Sequence, residues 1–259
     1  MKISLIGKGY WGKNWERLLK QTNTLYQVSD TPQETDNILK SDADAIVIAT
    51  PAETHAEIAY NALLRGKHVL CEKPFALNIN DAERCLEMAQ MANLVLMIGH
   101  TPQYHEDFIS LKENLHKIGR IKYIWSNRLN DGKWRKEGVV WSFAPHDVSM
   151  IHSLLGLPNE VNAFGNKDTC LCMFKYHNAG AHIFVSWNNP FKEQRLVVVG
   201  EKGMLEFNGS KQPETEPLLK ELIHFIQCTK SNKEPITSGF EALNVTKTLY
   251  AINQSIKGN

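Results

Sequence analysis

Two residues of this chain join a reactive side chain to a position that can use it. They are Lys73, in Cys71-Glu72-Lys73-Pro74, and His146, in Trp141-Ser142-Phe143-Ala144-Pro145-His146-Asp147. An ammonium beside a reacting oxygen lowers the cost of the negative charge that develops there as a hydride leaves or arrives. A histidine exchanges a proton with a hydroxyl near neutral pH and suits a general base in alcohol oxidation. A lone lysine is most often a solvated surface residue. Lys73 differs because it follows the apolar run 68–71, a strand end, in a chain that opens with a dinucleotide-binding signature. Ligands of such folds lie at the carboxyl ends of strands. Pro74 would set the turn that aims the lysine.

The signature is Gly7-Lys8-Gly9-Tyr10-Trp11-Gly12, a G-x-G-x-x-G that follows the apolar run 2–6 and precedes Trp15, Leu18 and Leu19 at helical spacing. Gly7 permits the tight turn, Gly9 lets the backbone approach a pyrophosphate, and Gly12 allows close contact between helix and strand. The helix start then offers amides to the phosphates. A second strand, 26–29, ends at Asp30, about where an acid grips the adenosine ribose hydroxyls. Asp30 would repel a 2'-phosphate, so NAD is the expected cofactor in preference to NADP. A glycine pattern alone arises by chance; strand, helix and acid in register make it specific.

His146 precedes an apolar helical pattern in Val148, Ile151, Leu154 and Leu155. Pro145 fits a first-turn position, so His146 is expected near a helix start, whose positive end favours the neutral, proton-accepting ring. Adjacent helical residues point apart, so Asp147 is read as a helix-dipole partner and not as an orienter of His146. The alternative for His146 itself is packing beside Met150. Residues 127–135 cluster Arg128, Asn130, Lys133 and Arg135, donors for a polar or anionic substrate group. Tyr104 and His105, after Gly99-His100, read as pocket lining. The plain alternative for each is a solvated loop.

The apolar runs 45–49, 68–71 and 94–98 alternate with helical segments near 54–65 and 80–92, which implies a parallel, doubly wound sheet. After Gly119 the rhythm changes to strand-like stretches at 121–128, 160–165, 169–177, 181–187 and 194–199, with helical segments at 216–228 and 239–256. The expected architecture is α/β: a Rossmann domain over 1–119 and an α+β domain with a largely antiparallel sheet over 120–259. In 169–177 one face carries Cys170, Cys172, Phe174 and Tyr176 and the other Leu171 and Met173. Two apolar faces need two covers, so a homodimer or homotetramer through this sheet is expected.

The 259 residues are 42% hydrophobic, and 29 basic residues balance 28 acidic ones for a net charge of +1, with no basic arm. Neither nucleic acid nor a membrane surface is an expected partner. There is no charged leader, and no apolar run reaches the roughly 18 residues of a membrane span, so a cytoplasmic protein is expected. The five cysteines, Cys71, Cys85, Cys170, Cys172 and Cys228, include no C-x-x-C spacing. They read as reduced, buried thiols, and no metal site is expected.

Residues 7–14, Ala49-Thr50-Pro51 with His55, Gly66-Lys67-His68-Val69 and Glu72-Lys73-Pro74 together resemble the Gfo/Idh/MocA oxidoreductase family, over nearly the whole chain. The resemblance implies a Rossmann domain joined to an α+β substrate domain, with nicotinamide over the open sheet near the Glu-Lys-Pro segment. It matches Lys73 to the family's active-site lysine, often followed by a cis proline bond. It places Thr50, Pro51, His55 and Glu72 beside Gly7, Gly9, Tyr10, Trp11, Gly12 and Asp30 among the cofactor contacts, and moves His146 toward catalysis. Tyr104, Arg128, Asn130, Arg135, Ser142 and Asp147 complete the expected site as substrate contacts. The family commonly carries an aspartate four residues before the histidine; here Ser142 stands there and supplies no charge, which leaves Lys73 and His146 as the pair. Residues 141–147 are similar to sugar-nucleotide branches of the family. The implied activity is NAD-dependent hydride transfer at a secondary alcohol or ketone of a sugar, first a nucleotide sugar of polysaccharide biosynthesis at ring carbon three. Inositol or free-sugar dehydrogenation is the enzyme alternative, and a non-catalytic NAD-binding sensor the alternative of another class.

Overall fold

A computed structural model describes residues 1–132, 135–210 and 215–258. Its first sheet holds β1 (Ile3–Ile6), β2 (Leu25–Ser29), β3 (Ala45–Ile48), β4 (His68–Cys71) and β5 (Leu96–Ile98), all parallel, in the order β2-β1-β3-β4-β5. Every residue of β1 and β3 is buried, as short apolar runs covered on both faces must be. The crossovers are α1 (Tyr10–Gln21), α2 (Pro32–Lys40), α3 (His55–Leu64) and α4 (Ile79–Met91). The stripe Gly12, Trp15, Leu18 and Leu19 is the buried side of α1. Thr31 caps α2 by accepting the Glu34 N–H at 3.3 Å, and Pro32 takes the first turn, where its missing N–H costs nothing. The strand order turns back on itself at β1 and β3, so the carboxyl ends of these two strands flank the crevice in which doubly wound sheets bind ligands.

Past Gly99 come α5 (Glu106–Glu113), α6 (Leu115–Ile118), β6 (Ile121–Asp131), α7 (Gly138–Leu155), β7 (Glu160–Gly165), β8 (Thr169–Lys175), β9 (Gly180–Ser186), β10 (Asn188–Gly200) and β11 (Met204–Asn208). The strands form a mixed sheet in the order β11-β10-β6-β9-β8-β7, antiparallel at each pairing except β6 with β9. Alternation sets its faces: Cys170, Cys172 and Phe174 of β8 are buried, Leu171 is half-buried and Met173 exposed. The five cysteines are free thiols and all are buried. No helix among the described residues is long and apolar enough to cross a membrane.

The chain ends in α8 (Thr215–Ser231) and α9 (Gly239–Gly258). Contacts divide it into two compact units, Met1–Gly99 with Leu218–Leu243 and His100–Pro217 with Asn244–Asn259. This differs from a cut after residue 119. Residues 100–117 join the second unit because Phe108 packs edge-on against Phe207 of β11, with ring centroids 5.8 Å apart. The segment around α8 returns to the first unit, where the Ile98 N–H donates to Thr237 O at 2.9 Å and Met97 bridges Ser238.

Candidate active site

In the first unit the glycine loop is shaped by what surrounds it. Gly7 has φ +105°, and a Cβ there would stand 2.5 Å from Ala49 O. A Cβ on Gly12 would stand 2.0 Å from Gly7 O, so α1 touches the turn after β1 only because this residue has no side chain. A Cβ on Gly9 would meet nothing within 4 Å. That glycine instead leaves open space beside the start of α1, an end that no side chain caps. Tyr10 is 72% exposed at this end, with the Trp11 ring edge-on to it at 5.4 Å. Asp30, just past β2, accepts the Lys8 N–H at 2.8 Å and so ties the acid to the loop.

Lys73 follows β4 and is half-buried, and its neighbours on both sides are held from within. Glu72 is buried; its Oε1 accepts Trp15 Nε1–H at 2.9 Å and its Oε2 accepts the Lys73 N–H at 3.3 Å. His55 is buried with Nδ1 2.8 Å from Pro74 O and Nε2 2.8 Å from Thr50 O. A neutral imidazole has one N–H and serves one carbonyl at a time. Burial pushes the His55 pKa below the ordinary histidine value, and the two carbonyls oppose that fall. The Thr54 hydroxyl donates to Thr50 Oγ1 at 2.7 Å and Pro51 lies exposed beside them. The Lys73-Pro74 bond is cis. Glu72 and His55, expected against the cofactor, thus bond to Trp15 and to backbone on either side of Lys73.

In the second unit α7 starts at Gly138, so Pro145 and His146 lie inside the helix and not at its start. The buried run Val139, Val140 and Trp141 carries the helix toward the N-terminus, and Pro145 is accommodated without an N–H of its own. The helix-end reason for a neutral His146 therefore lapses. His146 meets His100 edge-on, with centroids 5.8 Å apart at 84°, a neighbour whose only sequence signal was its place just after β5. Asp147 is 1% exposed: Oδ1 accepts the Ser126 hydroxyl at 2.5 Å and Oδ2 accepts Arg128 Nε–H at 2.5 Å. Both carboxylate oxygens are occupied within the unit, so Asp147 and Arg128 form a buried ion pair joining α7 to β6, where substrate contacts were expected.

The remaining expected contacts scatter. Ser142 is buried in α7 one turn before His146, Tyr104 is buried in the short turn Thr101–Tyr104, Asn130 is half-buried on β6 and Arg135 is exposed. Lys133 lies outside the described residues. His105, read as pocket lining, caps α5 by accepting the Asp107 N–H at 3.2 Å and faces Phe207 edge-on at 5.1 Å. Gln103, with no signal in the sequence, donates from a buried amide to Ser149 O at 3.0 Å and Ser149 Oγ at 3.1 Å.

Both halves of the chain match models of one family. Residues 16–100 match the oxidoreductase family with NAD-binding Rossmann fold, and residues 115–206 match the GFO/IDH/MocA C-terminal domain. The chain belongs to the Gfo/Idh/MocA oxidoreductase family. It is 23% identical to a 2,7-anhydro-N-acetylneuraminate hydratase of Mediterraneibacter gnavus, over 79% of this chain and 66% of that protein. It is 35% identical to a UDP-N-acetylglucosamine 3-dehydrogenase of Acidithiobacillus ferrooxidans, over 49% of this chain and 41% of that one. The chain therefore spans two-thirds or less of these curated relatives' own lengths. A solved UDP-N-acetylglucosamine 3-dehydrogenase from A. ferrooxidans shares the fold with a TM-score of 0.88 at 22% identity, covering 100% of this chain and 98% of the other. A scyllo-inositol dehydrogenase of Lactobacillus casei, solved with NAD(H) and scyllo-inositol, gives a TM-score of 0.86 at 19% identity, covering 100% and 97%.

The first unit of this Gfo/Idh/MocA chain is its NAD-binding Rossmann domain, and the residues present fit the cofactor. Open backbone at Gly9 and the uncapped start of α1 suit a pyrophosphate, and Asp30 suits ribose hydroxyls. The tight packing at Gly7 and Gly12 keeps that cradle in shape.

Proposed function

We propose that this chain is a cytoplasmic NAD-dependent oxidoreductase that acts on a secondary alcohol or ketone of a sugar, with nucleotide-activated sugars the first substrate class. The observation that carries the reading is the frame around Lys73, with Glu72 bonded to Trp15 of α1 on one side and His55 bonded to Pro74 O on the other. Such bracing fixes a lysine at a strand end in the same unit as the glycine cradle, which is what an electrostatic catalyst needs.

Bound NAD supplies the hydride acceptor, and its reduced form the donor. Gly9 and the start of α1 would hold the pyrophosphate in the turn that Gly7 and Gly12 shape, and Asp30 would hold the adenosine ribose. The Lys73 ammonium bonds the substrate oxygen and stabilises its negative charge as the C–H bond breaks. His146 takes the hydroxyl proton, so that the alcohol loses one hydride and one proton. Asn130, Arg135, Tyr104 and Ser142 remain candidate substrate contacts. The nucleotide-sugar class is supported by the 35% identity to the A. ferrooxidans dehydrogenase and the inositol alternative by the L. casei neighbour's fold.

The test is absorbance at the reduced-nicotinamide band while purified protein meets NAD or NADH and a panel of sugar nucleotides, inositols and free sugars. Product chromatography accompanies it, because one relative is named a hydratase and net hydration leaves that band unchanged. Turnover that Lys73→Ala abolishes while NADH still binds supports the enzyme. Tight NADH binding with no reaction of any sugar favours the sensor.

A further inference from the structure

The acid that ends β2 does not stand alone. Asp30 accepts the Lys8 N–H at 2.8 Å, and its own N–H donates to Glu34 Oε2 at 3.0 Å. Glu34 lies in the first turn of α2, where its N–H donates to Thr31 Oγ1 at 3.3 Å. The amide bond from Asp30, then the Thr31 hydroxyl, holds the Glu34 carboxyl below the usual carboxylate range, and the Lys8 charge acts the same way. Glu34 is thus ionised at neutral pH. Asp30, Glu34 and Lys8 are all exposed.

An adenosine 2'-phosphate bound at this strand end needs donors and positive charge. Here it meets two carboxylates, and the first amide past β2 is already bonded to one of them. We propose that Glu34 is a second cofactor-specificity residue, which with Asp30 excludes NADP, and that Lys8 in the glycine loop becomes a phosphate partner once both acids are neutral. This rests on the assignment of NAD to the cradle after β1. Its consequence is that replacing Asp30 alone leaves the negative charge of Glu34 in place, so cofactor choice changes only when Glu34 changes too.

The experiment measures dissociation constants of NADH and NADPH by nicotinamide fluorescence for the wild type, Asp30→Ser, Glu34→Gln, the double variant, and the double variant carrying Lys8→Ala. Gln keeps the acceptor for the Asp30 amide and removes only the charge, so α2 stays capped. The double variant should bind NADPH about tenfold tighter than Asp30→Ser does, a gain that shrinks as salt screens exposed charges. Lys8→Ala should then remove most of that gain. Equal NADPH affinity in Asp30→Ser and the double variant overturns the role of Glu34, and a gain that survives Lys8→Ala overturns the role of Lys8. A wild type that binds neither dinucleotide overturns the cofactor assignment itself, and this inference with it.

Discussion

Lys73 owes its proposed role to its neighbours more than to its own chemistry. Glu72 reaches back to Trp15 and to the lysine's amide, and His55 reaches the carbonyl of Pro74, so both flanks of Lys73 are bonded to the interior. If that braced ammonium stabilises a developing oxyanion, Lys73→Ala should lower kcat by about 10²- to 10³-fold, the usual loss for one such donor. The NADH dissociation constant should stay within about threefold, since the pyrophosphate cradle is untouched. Steady-state kinetics with fluorescence titration checks both, and equal loss of both quantities would mark Lys73 as a binding residue. The reactive residue types were legible from their place in the chain; the partners were not, because Trp15 and Glu72 are 57 residues apart and only folding brings them together.

Among the elements, the turn from β1 into α1 separates packing from binding. The Cβ of Gly12→Ala would land 2.0 Å from a backbone oxygen, so α1 must move; that of Gly9→Ala would meet nothing within 4 Å. Gly12→Ala should therefore cost about 1–3 kcal/mol of stability and weaken NADH binding, while Gly9→Ala should weaken NADH binding with little loss of stability. Denaturant titration and fluorescence together check the contrast, and equal stability of the two variants would refute it. β1 and β3 were readable because strands buried on both faces must be apolar throughout. The run 33–37 is polar and only Ile38 and Leu39 of α2 are buried, so periodicity hides that helix, and Pro32 with the Thr31-to-Glu34 cap marks its start. β11 is an edge strand with Met204 exposed and Phe207 buried, too weak a pattern to announce itself. Pro145 misled because proline is commonest in a first turn, whereas here the apolar residues ahead of it continue α7.

For the whole molecule, the six-stranded sheet of the second unit is the proposed assembly surface. Strand register puts Tyr123, Trp125, Phe184, Leu171, Met173 and Phe164 on one face, with Tyr123 48% and Phe164 53% exposed. We expect light scattering to give a dimer or tetramer and the double variant Phe164→Glu, Met173→Glu to give monomers; a monomeric wild type would sink the idea. Stability should also fall in acid. Burial depresses the pKa of His152, which contacts Thr248 Oγ1 at 3.2 Å, from 6.5 to about 4. Because the unfolded chain takes up this proton first, stability is full above about pH 6.5 and is lost as pH falls toward 4, by roughly 2 kcal/mol between pH 7 and 5. His55, His68, His182 and His224 are shifted in the same direction, each by burial. Denaturant titrations at pH 7 and 5 check this, and His152→Gln should reduce the difference. The sequence by itself determined the parallel sheet, its glycine cradle, the acid at the end of β2 and the family, because strand periodicity and turn chemistry act over a few residues. Only the tertiary structure decided that Asp147 and Arg128 pair with each other, that α8 returns to the first unit and that Glu72 bonds to Trp15, because burial and partner choice depend on contacts that local sequence does not encode.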